Sequence, residues 1–206
     1  MIIMTTCFQA ARPLAVVVVL AAVALSPTVL KAEDGRAEKI PTRCGMSAVW
    51  GSTFDPVSDI RFLQLSGFIM WDYDRVWRHR APEPLRFKVE GTAGATTGPQ
   101  TRAIISIEML ALYYLDFLSG STLTPYVEGG IGLIYTDFQV KDPDPPGERQ
   151  GSRFNFNPLI GIGLEYKPDS GAPFFGTVRL SHISNGGLHA ENRGVNAVVL
   201  LIGRFF

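Results

Sequence analysis

The chain has 206 residues, 46% of them hydrophobic and 18% charged, and its formal net charge is zero. That length suits a single domain, and no basic patch stands out that would call for a nucleic-acid partner. Cysteine occurs only at positions 7 and 44, which excludes a disulfide framework once the first is placed in a leader.

The leader comes first in chain order. Arg12 precedes an uncharged apolar run over residues 14–25, Pro27 breaks it, and Leu30-Lys31-Ala32 offers a small-residue cleavage site ahead of Glu33-Asp34. Such a run is too short to span a bilayer comfortably and has the layout of a secretory signal. The expectation is a cleaved signal peptide over residues 1–32 and one domain over residues 33–206. Cys44 is then an unpaired thiol near the first strand. Neither cysteine follows the apolar run as a lipid-attachment site would.

Beyond the leader there is no second long apolar stretch, so the chain does not read as a helical membrane protein. Polarity alternates instead with period two, between clusters of turn residues. The pattern predicts eight strands, over 46–52, 60–73, 85–93, 102–117, 123–136, 153–166, 173–184 and 195–206. In the third, Leu85, Phe87 and Val89 oppose Arg86, Lys88 and Glu90. The fourth sets Ile105, Ile107, Met109 and Tyr113 against Ser106 and Glu108, and the fifth sets Val127, Ile131, Leu133 and Tyr135 against Glu128, Gly130 and Gly132. In the sixth, Phe154, Phe156, Ile160, Ile162 and Leu164 oppose Asn155, Asn157, Gly161, Gly163 and Glu165.

Most of these segments are long enough to cross a bilayer as tilted strands. With an even count, aromatics near strand ends and a C-terminal Phe206, they point to an all-β fold, an eight-stranded antiparallel transmembrane β-barrel of a Gram-negative outer membrane. A soluble barrel would turn its apolar face inward. Here the face that carries Arg86, Lys88, Glu90, Glu108, Glu128, Glu165 and Arg179 must be enclosed, and enclosed charges need partners. Eight strands leave room inside for side chains only, so these residues are expected to form an internal salt-bridge network and not a pore. With both termini in the periplasm, the connections near 53–59, 94–101, 137–152 and 185–194 are extracellular. The connections 118–122 and 167–172 are short periplasmic turns, and 74–84 is longer than such a turn requires. His79 and His189 fall in connections and read as solvated.

The seventh strand carries the residues with chemistry. His182 and Ser184 are two apart and therefore share a face. Phe174, Val178 and Leu180 lie on that face too, so the pair points outward at the extracellular end of the strand. Polar residues are ordinary at such an interfacial end, and His-Xaa-Ser alone is a weak signal.

The wider run is more specific. His182-Ile183-Ser184-Asn185-Gly186-Gly187-Leu188, followed by Asn192-Arg193-Gly194-Val195-Asn196, resembles the C-terminal signature of the outer-membrane lipid A 3-O-deacylase family. The resemblance extends upstream through Ser152-Arg153-Phe154-Asn155-Phe156 to Thr124-Pro125-Tyr126-Val127, while the first half matches in barrel pattern only. It implies a barrel enzyme that removes an ester-linked 3-hydroxyacyl chain from lipid A without a metal or other cofactor. Its partners are then lipopolysaccharide and membrane lipid. It also implies Ser184 as nucleophile, His182 as general base, and Asn185 with the backbone N–H of Gly187 as the oxyanion hole. Serine needs an adjacent base to attack, and donors must wait where the oxyanion will form.

One position departs from the pattern. The family carries a glutamate fourteen residues after the histidine, where this chain has Asn196. Asparagine can orient an imidazole but supplies no negative charge. Asn196 is the expected orienting residue, with Glu191 as a reserve acid if its loop folds back. Two classes of function follow: a lipid A deacylase-like serine esterase, or a non-catalytic structural or adhesive barrel that has lost its acid.

Overall fold

The computed structural model describes residues 42–56, 58–78, 81–98, 101–138, 140 and 149–206. The expected signal peptide over residues 1–32 and His79 lie outside the described residues. The strands are β1 (Arg43–Asp55), β2 (Arg61–Asp72), β3 (Leu85–Thr97), β4 (Ala103–Tyr114), β5 (Leu123–Thr136), β6 (Phe154–Phe156), β7 (Leu159–Tyr166), β8 (Phe174–Ile183) and β9 (Val195–Phe205). Each pairs antiparallel with its neighbours, and β9 returns to β1 with Gly45 opposite Phe205, which closes the sheet. Closure leaves no strand edge unpaired, as a sheet surrounded by lipid requires.

The barrel has eight traverses, the predicted number. β6 and β7 together make the sixth, because both pair with β5 in one unbroken register, Leu133 opposite Phe156 and Gly130 opposite Leu159. Asn157-Pro158 separates them, and proline has no N–H to give to the ladder. β1 runs longer at both ends than the predicted 46–52, since Arg43 still pairs with Met70 and Asp55 with Asn196. The long connection after β2 holds a helical turn, α1 (Tyr73–Trp77), capped by the Asp72 side chain. It is held by aromatic packing: Tyr73 and Trp77 both set their rings against Phe87 on the outer face of β3.

Two solvents explain the two faces. Leu63, Leu65, Ile107, Met109, Ile131, Leu133, Ile160, Ile162, Leu180 and Ile202 are exposed on the outer wall and form the belt expected against lipid. Inside, an apolar layer at each end encloses a polar middle. One layer includes Ile104, Ile134, Ile183 and Val195, sealed from above by Phe138 and Val140 of the loop after β5. The other includes Phe68, Met70, Tyr114, Phe175 and Phe205.

The polar middle is the expected ion-pair network, with two differences. Arg179 takes Glu90 through both carboxylate oxygens, at 2.5 and 3.1 Å, and gives its Nε to Glu128 at 2.5 Å. Lys88 reaches the other oxygen of Glu128 at 2.6 Å and Glu90 at 3.4 Å. Nearer the opposite end Arg43 and the Tyr114 hydroxyl both bond Glu165. Glu108 is buried but meets an amide: Asn157 Nδ2 donates to one oxygen at 3.2 Å, and the other has no hydrogen-bond partner among the described residues. Arg86 donates to the backbone carbonyls of Glu83 and Leu85, and among the described residues to no carboxylate.

Candidate active site on the outer wall

The four connections that follow β1, β3, β5 and β8 share one end of the barrel, and the chemistry-bearing residues of β8 lie there. Ile183 is buried and its neighbour His182 is exposed, so the strand's alternation sends His182 to the outer wall. Backbone bonds fix that position: His182 N–H donates to Pro158 O at 3.0 Å, and Ser184 exchanges both of its bonds with Phe156 at 2.8 and 3.1 Å. Ser184 is half-buried on the same face. Among the described residues its hydroxyl makes no hydrogen bond to His182.

Asn196 stands opposite His182 in the ladder between β8 and β9. His182 Nδ1 and Asn196 Oδ1 are 2.7 Å apart. Behind the amide lies a residue that sequence reasoning missed. Asn196 Nδ2 donates to Asp55 Oδ2 at 2.8 Å, and Arg193 pairs with Asp55 Oδ1 at 2.7 Å. The register between β1 and β9 shifts between Thr53 and Asp55. That bulge turns the Asp55 side chain towards the outward-facing Asn196, as bulges commonly re-aim side chains.

The site has tight steric support from the other side. A Cβ built on Gly194 would lie 2.5 Å from His182 Cε1, so only a glycine there leaves the imidazole its place. Beside the histidine a groove of about 450 Å³ opens on the outer wall, lined by Phe54, Pro158, Ile160, Leu180 and Asn196. Glu191 is exposed in the loop before β9, where its backbone carbonyl accepts from Asn185 Nδ2 at 2.8 Å. Among the described residues its carboxylate makes no bond to His182. His189 is exposed in the same loop.

The two expected oxyanion donors are engaged with each other. Gly187 N–H donates to Asn185 Oδ1 at 3.0 Å, and Asn185 is buried, giving its amide protons to the carbonyls of Gln150 and Glu191. Both Gly186 and Gly187 have positive φ, 64° and 81°, which makes this turn one that glycine suits.

Comparisons with known proteins agree with this architecture. A crystal structure of the outer membrane enzyme PagL superposes with a TM-score of 0.51 at 23% identity, covering 77% of this chain and 97% of that one. Neisserial surface protein A gives a TM-score of 0.54 at 16% identity, covering 80% and 94%. At those identities the likeness speaks for the fold. No curated protein matches the chain. The sequence itself matches the family described as lipid A 3-O-deacylase (PagL) over residues 65–204, more than half its length. The protein is thus one of the Gram-negative outer membrane, and the chain belongs to the lipid A 3-O-deacylase (PagL) family.

Proposed function

We propose that the chain is a serine esterase that hydrolyses the ester-linked 3-hydroxyacyl chain of lipid A in the outer leaflet. The observation that carries this reading is the run of contacts from Asp55 through Asn196 to His182. Asp55 is an acceptor, so the end of the Asn196 amide that faces it must be the NH2 group. The carbonyl end therefore faces His182, and the proton between them sits on Nδ1. Nε2 keeps its lone pair and serves as the base. An asparagine that could turn over freely would hold the wrong tautomer half the time; this one is fixed.

The reaction then balances without further groups. Ser184 Oγ bonds to the ester carbonyl carbon as its proton passes to His182 Nε2. The carbon–oxygen bond to the sugar breaks, and the sugar oxygen takes the proton from Nε2. Water, deprotonated by the same nitrogen, bonds to the acyl carbon; the bond to Ser184 Oγ breaks, Oγ takes the proton back from Nε2, and the hydroxy fatty acid leaves. Lipid A would lie against the outer wall, with acyl chains on the apolar belt and the groove beside His182. The longer loops mark the extracellular end, as in bacterial barrels generally, so the site faces the leaflet that holds lipopolysaccharide.

The second reading is the non-catalytic structural or adhesive barrel. One observation favours it: the Gly187 N–H is bonded to Asn185 and not presented outward. Mass spectrometry of lipid A from Gram-negative cells producing the wild type or Ser184→Ala separates the two. The esterase reading expects a mass loss equal to one hydroxyacyl chain with the wild type alone. Identical spectra would leave the structural barrel standing.

A further inference from the structure

We propose that Asp55 is a positioning residue that acts on His182 through Asn196, so that a carboxylate two side chains away replaces the acid missing beside the histidine. For its effect on rate this rests on the esterase reading; its effect on the histidine does not.

The last strand carries an amide where an acid would serve the histidine directly. At residue 196 an acid would touch the imidazole directly, fixing its tautomer and stabilising its positive charge in one contact. Asn196 can do the first only if something fixes its own orientation, and cannot do the second. Asp55 addresses both. Its Oδ2 accepts from Asn196 Nδ2 at 2.8 Å, which selects the amide orientation that presents Oδ1 to the histidine at 2.7 Å. Its negative charge also polarises the amide, so that Oδ1 is a stronger acceptor when the imidazole becomes positive.

The placement is built, not incidental. Asp55 reaches the outer wall because the ladder between β1 and β9 slips by one residue after Thr53. Arg193 holds the second oxygen at 2.7 Å and its own Nη1 donates to Gly194 O at 3.0 Å, tying the carboxylate to the segment that packs on the imidazole. Arg193 also neutralises part of the charge, so the relay is weaker than a direct acid. On the other side of His182 the outward residues of β7 are the uncharged Ile160, Ile162 and Leu164.

The test reads the histidine itself. Protein labelled with 15N-histidine is folded in detergent micelles, and the His182 ring nitrogens are assigned by their loss in His182→Ala. At a pH where the ring is neutral, the wild type should show a protonated Nδ1 and a bare Nε2. Asp55→Leu should give a mixture of tautomers, and Asp55→Asn, which keeps the shape without the charge, a smaller change in the same direction. With lipid A in micelles, both should lower kcat at least tenfold and leave KM within twofold. In an Asn196→Glu background, where the acid touches His182 directly, Asp55→Asn should cost nothing or raise kcat, because it removes a like-charge neighbour. A merely structural Asp55 would lose the same activity in both backgrounds. An unchanged His182 tautomer in folded Asp55→Leu and Asp55→Asn overturns the proposal whatever the activity. If the wild type has no Ser184-dependent activity yet its tautomer responds to Asp55, the esterase reading fails and the relay stands.

Discussion

Arg179→Met offers the most direct measure of what holds the barrel interior together. The Arg179 side chain is 5% exposed, and its two partners, Glu90 and Glu128, are 1% and 0% exposed. At about 3 Å and an effective dielectric of about 20, one such ion pair contributes roughly 5 kcal/mol of Coulomb attraction. Most of that offsets the cost of removing the ions from water, so the intact network contributes little net stability. Removing only the cation is different, because two buried carboxylates are left to share the Lys88 ammonium, 2.6 Å from Glu128 and 3.4 Å from Glu90. Breaking a buried pair in this way costs about 3–5 kcal/mol. A cavity of about 40 Å³ beside Glu90, Glu108 and Arg179 can admit water to the shortened side chain, which favours the lower end. Urea titration of the protein in detergent micelles, followed by heat-modifiable gel mobility, gives the loss directly. Glu90→Gln added to Arg179→Met leaves Lys88 and Glu128 as a matched pair and should recover about half of it. A loss under about 1 kcal/mol for the single variant, or no recovery in the double, would refute the ledger and mean that the interior is hydrated like a surface.

Three further outcomes are expected. Gly194→Ala should cut deacylation roughly a hundredfold with the barrel still folded, because its new methyl displaces the His182 ring from the position that Asn196 holds; an unaltered initial rate on purified lipid A would contradict that steric role. Ser184→Ala and His182→Ala should each abolish deacylation, and the double variant should be no worse than either single one, since the two act as a unit. Activity that survives Ser184→Ala would end the esterase reading. In a Cys44→Ser background, a cysteine at Leu188 should react with an impermeant reagent on intact cells and one at Gly171 should not; the reverse would turn the barrel over.

The fold was legible because a closed sheet in lipid is read by two solvents at once. Every strand must alternate, and the alternation survives in the sequence wherever the belt and the interior both demand it, as in β4 and β5. His182 and Ser184 were legible for the same reason: a spacing of two places them on one face without any knowledge of neighbours. Asp55 was not. It lies at the far end of the first strand and meets Asn196 only because β9 closes on β1, and it points outward only because the register slips at a bulge. Neither event leaves a periodic trace, and an Asp-Pro pair at a strand end reads first as a turn. Glu108 went wrong in a related way. Its alternation correctly placed it inside, but the identity of an interior partner depends on shear around the barrel, and shear brought it an amide.

The proposed site divides into a part that is fixed and a part that would have to move. The proposed base, His182, and its proposed orienting residue, Asn196, stand on strands, each held by ladder bonds on both sides, so their geometry is set before any substrate arrives. The expected oxyanion donors stand on the loop after β8, where Asn185 and Gly187 satisfy each other. For Gly187 to serve an oxyanion its N–H must leave Asn185 Oδ1, a bond between neutral groups that contributes about 1 kcal/mol net. A developing oxyanion is the stronger acceptor, roughly twice as strong as a neutral one, so the exchange is favourable when the tetrahedral centre forms and not before. The Gly186-Gly187 turn, already in the left-handed region, has the backbone freedom to make it. On that account Gly187→Ala should slow the acylation step more than it weakens lipid binding, which single-turnover measurements with lipid A in micelles can separate from KM. Equal effects on both would mean that the turn shapes the binding surface and takes no part in stabilising the charge.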